Sequence, residues 1–142
     1  MSHDLPQDWA YSLEFAHTPL APHIARHTLR LILEAHGAAE LTDTAELLTS
    51  ELVTNSVHHA EGPASIRVVR NGDKGVRVSV CDTNPQLPTL DVGWDDDADA
   101  ENGRGIGLVA AFADDWGGCA IGPGVFGGGG KTVWFELGPA VG

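Results

Sequence analysis

The sequence predicts a single α+β domain, a two-layer sandwich with helices on one face of a mixed, mostly antiparallel sheet. The chain has 142 residues, a length that suits one domain covering residues 1–142. Two alternating apolar runs at 64–70 and 75–82 flank the turn NGDK, which is a strong β-hairpin signal. Two helical segments precede this hairpin, so strands that pair with their neighbours share the domain with packed helices.

The first half of the chain divides cleanly into elements. WAYSLEF alternates in hydropathy and predicts a first strand at about 8–15. Residues 22–36 predict a helix, because Ile24, His27, Leu31 and Ala35 recur about once per turn. A second helix is predicted from Asp43 to Ala60, before Gly62 and Pro63.

The second half is less regular. Residues 83–102 lack periodicity and carry six acidic residues and no basic one, which fits either a solvated loop or a lid over a site. GRGIG at 103–107 precedes a predicted helix that ends near Asp114. A short strand including Cys119 to Ile121, a glycine-rich loop at 122–130 and a last strand at 131–137 complete the prediction.

Composition excludes several classes of protein. Eight Lys and Arg against 20 Asp and Glu give a formal net charge of −12, which argues against nucleic acid or an anionic membrane as the main partner. Two cysteines are too few for a disulfide framework. The sequence has no apolar run long enough to span a membrane and no secretory signal, so we expect a cytoplasmic protein.

The second predicted helix carries polar residues beside its apolar stripe. Leu41, Ala45, Leu48 and Leu52 form an apolar stripe that should face the sheet. Polar residues lie at four-residue spacing beside that stripe: Glu51, Asn55 and His59. Polar groups near a core cost free energy unless they are paired, so these residues either find internal partners or line a pocket.

Two further features point to a ligand. Asp82 continues the inward phase of Val76, Val78 and Val80, so it is either a turn-initiating residue or an acceptor for N–H donors of a ligand. The glycines of GRGIG leave backbone amides open at a helix start, which suits phosphate. GGGGKT is not a Walker A loop, because Val125 stands where that motif needs glycine and a strand follows it.

Four segments together carry a resemblance: ELVTNSVHHA at 51–60, VSVCD at 78–82, NGRGIGLV at 102–109 and GKTVWFEL at 130–137. In this order they resemble the Bergerat-fold ATP-binding domain of histidine kinases and DNA gyrase. The sequence is most similar to the short actinobacterial regulators related to anti-sigma-factor serine/threonine kinases. The resemblance covers about residues 10–137.

The resemblance implies ATP and Mg²⁺ as cofactors and assigns roles to individual residues. Asn55 would ligate Mg²⁺, Glu51 would orient or deprotonate the attacking hydroxyl, and Asp82 would accept from the adenine amino group. His59 matches a histidine at the end of the same motif. Three further parts are implied: an ATP lid at 83–102, a phosphate loop and a threonine near the adenine pocket. The loop and the threonine comprise Gly103, Arg104, Gly105, Ile106, Gly107 and Thr132.

The chain departs from the family pattern after Asp82. The family motif is D-x-G-x-G, whereas this chain has Asp82-Thr83-Asn84-Pro85-Gln86 without glycine. Asn84 tolerates a left-handed backbone better than most residues do, so the turn can survive.

The predicted function is a Mg·ATP-binding regulator of the anti-sigma-factor type that phosphorylates a serine or threonine of a small antagonist protein. A sigma factor is a further implied partner, and related kinases suggest a homodimer. The exposed part of the first helix, with Arg26 and Arg30, is a candidate partner surface by analogy. Two alternatives remain open. The first is a regulatory module of the same fold that binds ATP or a partner without phosphotransfer. The second is a structural protein in which Glu51, Asn55 and Asp82 hydrogen-bond one another.

Overall fold

A computed structural model describes residues 8–72, 75–85, 107–121 and 129–138 of the chain. Within these ranges the chain forms two long helices and five strands. In chain order these are β1 (Ala10–Phe15), α1 (Ala21–Ala35), α2 (Thr42–His59), β2 (Ala64–Asn71), β3 (Gly75–Asp82), β4 (Asp115–Ile121) and β5 (Gly130–Leu137). A 3₁₀ turn at Ala39–Leu41 leads into α2, and residues 107–112 are helical.

The five strands form one sheet in the order β1-β2-β3-β5-β4. Every pairing in the described part of the chain is antiparallel, which agrees with the mostly antiparallel sheet that the sequence predicted. The predicted β2–β3 hairpin is present, with Val68 opposite Val78 and with Asn71, predicted in the turn, paired with Gly75. The final strand β5 inserts between β3 and β4, so residues far apart in sequence become neighbours at the centre of the sheet.

The two long helices pack against each other and against the buried face of the sheet. The predicted stripe is buried on α2 at Ala45, Leu48 and Leu52, and Leu41, in the turn before the helix, is buried as well. This confirms the amphipathic prediction for that helix. No helix in the described ranges is both long and apolar enough to cross a membrane.

Helix α1 is confirmed, but the periodic stripe that predicted it lies largely on the solvent side. Ile24 is 42% exposed and Leu31 is 70% exposed. The buried face instead contains two alanines, which allow close packing, and three larger residues: Ala21, Ala25, Leu29, Ile32 and Leu33. Both faces carry apolar residues at helical spacing, so periodicity alone identified the helix without identifying its buried side.

An ion pair joins the two helices at their solvent side. The Arg30 Nε donates to Glu46 Oε2 at 2.6 Å. This hydrogen bond and the charge of Glu46 raise the pKa of Arg30 above its ordinary value. This ion pair helps to fix the position of α1 on α2.

Strand β4 is longer than the sequence indicated. The prediction included only Cys119 to Ile121, whereas the strand begins at Asp115. Gly117 and Gly118 lower the strand propensity of this segment. The structure explains Gly117, because a Cβ there would lie 2.8 Å from the Trp134 ring. Gly117, which weakened the strand prediction, thus leaves room for the Trp134 side chain of the neighbouring strand β5.

Candidate functional site

The Asp82 carboxylate is the centre of a buried polar group at the end of β3. Its side chain is 1% exposed. Oδ1 accepts hydrogen bonds from Lys131 Nζ at 2.9 Å and from the Asn84 backbone N–H at 2.9 Å. Oδ2 accepts from Lys131 Nζ at 2.9 Å and from Ser56 Oγ at 2.6 Å. A carboxylate offers about four lone-pair sites, so these four bonds use its whole acceptor capacity.

Lys131 provides the positive charge of this group. It lies directly opposite Asp82 in the β3–β5 register, and its side chain is 8% exposed. Besides both Asp82 oxygens, its ammonium group contacts the Asn84 carbonyl oxygen at 3.3 Å. An ammonium group has three N–H donors, so this arrangement gives each donor an acceptor.

Sequence reasoning missed Lys131, although the signal was present. In KTVWFEL, Lys131 alternates in phase with the buried Val133, Phe135 and Leu137. A lysine at an inward position of a strand requires a partner of opposite charge, and Asp82 was already predicted to point inward. The strand at 131–137 was predicted, but Lys131 was considered only as part of a Walker A motif and not for its position within the strand.

The backbone beside the pair is held close by glycine. A Cβ at Gly130 would overlap the backbone carbonyl oxygen of Asp82. Gly129 has a φ of 82°, in the left-handed region that glycine adopts at little cost. These two glycines let β5 enter the sheet tightly against the end of β3, and this places Lys131 opposite Asp82.

The glycine-free segment after Asp82 is ordered by side chains. The Asn84 N–H donates to Asp82, which closes a local turn, and Asn84 Nδ2 donates to the His59 carbonyl oxygen at 2.7 Å. Thr83 Oγ1 accepts from the Gly62 backbone N–H at 3.3 Å. No described residue other than glycine has a positive φ, so Asn84 orders this turn by hydrogen bonding instead of by a left-handed backbone.

The polar face of α2 begins next to this buried group. Glu51 and Asn55 are half-buried and one helical turn apart, and His59 is exposed. Asn55 precedes Ser56, whose hydroxyl group reaches Asp82. The Asn55 Nδ2 is buried and has no hydrogen-bond partner among the residues that the structure describes. A buried amide left unpaired is costly, so this position is suited to an external ligand.

The structure does not bring every predicted residue to this place. Thr132 lies on the opposite face of the sheet from Asp82, where its Oγ1 is 3.1 Å from the Sγ atom of Cys81. Gly107 is at the start of the described helical residues 107–112, and a Cβ there would meet no described atom within 4 Å. Gly103, Arg104, Gly105 and Ile106 lie outside the described residues, as does most of the predicted lid, 86–102.

The candidate site therefore has two chemically different parts, one around Asp82 and one along α2. Around Asp82, every carboxylate oxygen and every ammonium hydrogen has a partner within the chain. Along α2, Glu51 offers a carboxylate that can accept a proton, and Asn55 offers an amide that can bind a hard cation or an anion. The partners of Asp82 are Ser56, Asn84 and Lys131, which disagrees with a network joining Glu51, Asn55 and Asp82.

Comparison with known protein families gives one match. The sequence profile of the histidine kinase-like ATPase domain matches residues 15–136, which is most of the chain. The match includes both helices and all of the buried group around Asp82. A comparison with curated protein sequences gives no match.

Solved structures show the same fold. The RsbU and RsbW domains of Rv1364c from Mycobacterium tuberculosis align over 93% of this chain with a TM-score of 0.64 and 22% identity. This chain spans 34% of the length of that one. The SiaB-SiaC complex from Pseudomonas aeruginosa aligns over 96% of this chain and 93% of the other, with a TM-score of 0.63 and 16% identity.

Replacement of Ser56 by alanine should destabilise the chain through Asp82. The substitution removes a donor to a buried carboxylate, so we expect the free energy of unfolding to fall by about 1.5–3 kcal/mol. Ser50→Ala is a control on the same helix, where the hydroxyl group accepts from Arg26 at 3.1 Å in a more exposed setting. Urea denaturation measures both variants. Equal losses for the two would contradict a special role of Ser56.

Proposed function

The chain belongs to the histidine kinase-like ATPase domain family, and on that premise we propose that it is a Mg·ATP-dependent regulator of the anti-sigma-factor type. In this proposal it transfers the γ-phosphoryl group of ATP to a serine or threonine of a small antagonist protein. A sigma factor is its second partner, and the active form is a homodimer. The sequence motifs and the polar face of α2 support the proposal.

The observation that carries the proposal is the unpaired amide of Asn55 beside Glu51. Most buried polar atoms are paired, whereas three side-chain atoms in the described part of the chain have no partner: the hydroxyl oxygens of Thr42 and Thr49, and Asn55 Nδ2. Asn55 Nδ2 is the one nitrogen among them, and it lies one helical turn after Glu51. The amide has both a carbonyl oxygen and N–H donors, so it fits a ligand that contains a hard cation and phosphate oxygens. The phosphate side of Mg·ATP therefore suits the residues present.

Bound Mg·ATP would supply the phosphoryl group and the cation that neutralises its charge. Asn55 would hold the cation through its carbonyl oxygen. Glu51, one turn earlier on α2, would accept or orient the proton of the attacking hydroxyl group. Phosphoryl transfer depends mainly on positioning and charge neutralisation, so a carboxylate and an amide on one rigid helix are appropriate groups.

The base side of the nucleotide fits the structure less well. The resemblance gives Asp82 the adenine amino group as its ligand, yet its oxygens already accept four hydrogen bonds. Thr132 faces the other side of the sheet. We therefore derive no recognition step from Asp82 or Thr132 in this arrangement.

Protein partners are supported by composition and by the neighbouring folds. A net charge of −12 disfavours nucleic acid as a direct ligand. One structural neighbour is an RsbW domain in a chain that also contains an RsbU domain, and the other is SiaB in a complex with SiaC. Both concern proteins that are less than 25% identical to this chain, so they support the proposed partners only by similarity of fold.

A second candidate function is a binding module that does not transfer phosphate. The acceptor sites of Asp82 are all used within the chain, and this favours the binding module. A member of the family that does not bind adenine through this residue can still bind a protein partner. The two candidates share the fold and differ in what Asn55 and Glu51 do.

Asn55→Ala should abolish Mg·ATP binding while leaving the fold intact. The substitution removes the proposed cation ligand and also removes a buried amide that has no described partner, so stability should change little. Calorimetric titration with Mg·ATP measures binding, and circular dichroism verifies folding. Asn71→Ala is the matched control at the exposed end of β2. Unchanged binding by Asn55→Ala would contradict the proposed role of Asn55.

Glu51→Gln should separate the two candidate functions. If Glu51 handles the proton, phosphotransfer falls by about 10²–10⁴-fold while binding of Mg·ATP is retained. Phosphorylation of candidate antagonist proteins, located by mass spectrometry, is the measurement. Glu40→Gln, an exposed residue before α2, is the control. Antagonist binding without phosphorylation by the wild-type protein would favour the binding module.

A further inference from the structure

Lys131 binds the carboxylate to which the family resemblance assigns the adenine amino group. Both Asp82 oxygens accept from its ammonium group at 2.9 Å, and the remaining acceptor sites are taken by Ser56 and Asn84. We propose that Lys131 competes with the adenine amino group for Asp82, so that this chain binds purine nucleotides without preference for adenine. The inference rests on the proposed function, because it concerns the same site.

Acceptor capacity is the first step of the argument. The amino group of adenine is a neutral N–H donor and needs a free lone pair on a carboxylate oxygen. Asp82 has about four such sites, and four donors already use them. Adenine can therefore reach Asp82 only by displacing one of its present partners.

The second step is the relative strength of the competing donors. An ammonium group and an adenine amino group would both make charge-assisted hydrogen bonds to the ionised carboxylate. Lys131 makes two such bonds and also neutralises the buried charge, which the neutral adenine cannot do. Displacing Lys131 would leave a buried ammonium group without its carboxylate, and that loss exceeds what one bond from a neutral donor returns.

The third step is that the fold holds Lys131 in place. Its backbone pairs with Asp82 in the β3–β5 register. Gly130, which has no Cβ, lets strand β5 lie close to the Asp82 carbonyl group. Its third donor contacts the Asn84 carbonyl oxygen within the glycine-free turn. Lys131 is thus fixed by the strand, by the turn and by the charge of Asp82.

The experiment compares ATP with ITP, in which a carbonyl oxygen replaces the 6-amino group of the purine. Calorimetric titrations with Mg·ATP and Mg·ITP give the ratio of the two dissociation constants. We expect the wild-type protein to prefer ATP by less than about fivefold, since one hydrogen bond to a charged group is worth about 10-fold or more in affinity. A wild-type preference for ATP above about fivefold overturns the proposal.

Lys131→Met should restore preference for adenine. With the ammonium group removed, Asp82 regains two acceptor sites, and ATP should bind about 10-fold or more tightly than ITP. The matched control is Arg77→Met. It removes the ion pair between Arg77 and Glu136, 3.3 Å long, which joins the same two strands on the opposite face of the sheet. That control should keep the wild-type ratio.

The outcomes are distinguishable from failure of the proposed function. If wild type and Lys131→Met bind neither nucleotide, both the proposed function and this inference are wrong. If both proteins bind nucleotide and Lys131→Met gains no preference for ATP, this inference alone is wrong. If Lys131→Met does not fold, because it leaves Asp82 buried without a cation, the wild-type ratio decides the question by itself.

Discussion

The structure depends on the neutralisation of one buried charge. Asp82 is inaccessible to water, and an isolated carboxylate in that position would be very unfavourable. Lys131 supplies the opposite charge from β5, Ser56 supplies a hydroxyl group from α2, and Asn84 closes the turn that follows β3. Sheet, helix and loop therefore meet at one carboxylate. Buried pairs of this kind are seldom retained for stability alone, since apolar residues often replace them without loss.

One departure from the family pattern lies next to the buried pair. The sequence after Asp82 lacks the expected glycines, and Lys131 stands in β5 opposite Asp82. In the structure the Asn84 carbonyl oxygen contacts the Lys131 ammonium group at 3.3 Å. A glycine at this position would lack the amide side chain that binds the end of α2. The turn and the lysine thus form one arrangement, and the proposed phosphate side of the site, on α2, is separate from it.

Local patterns in the sequence predicted most of the fold. Alternation identified β1, β2, β3 and β5, and periodicity identified α1 and α2. The inward direction of Asp82 followed from the phase of a single strand. The periodic residues of α1 did not indicate its buried side, because Ile24 and Leu31 are apolar at helical spacing although they face solvent. In such a helix only tertiary packing decides which face is buried.

The contacts between distant segments could not be read from the sequence. Asp82 and Lys131 are 49 residues apart, and their pairing depends on β5 entering the sheet beside β3. Strand phase gives the face of each residue but not the identity of the neighbouring strand. The family resemblance placed Thr132 near the adenine pocket, whereas the register that places Lys131 opposite Asp82 directs Thr132 to the other face. Lys131 and Thr132 are adjacent in the sequence, and adjacent residues of a strand point to opposite faces of the sheet.

The most direct test of this account is the ¹⁵N NMR signal of the lysine ammonium groups. The sequence contains two lysines, Lys74 and Lys131, so substitution of Lys74 assigns both signals. A buried ammonium group bonded to a carboxylate exchanges slowly with water, so the account predicts a sharp Lys131 signal at neutral pH. That signal should broaden in Asp82→Asn and persist when Mg·ATP is added. A Lys131 signal broadened by exchange in the wild-type protein would contradict the buried pair on which the account depends.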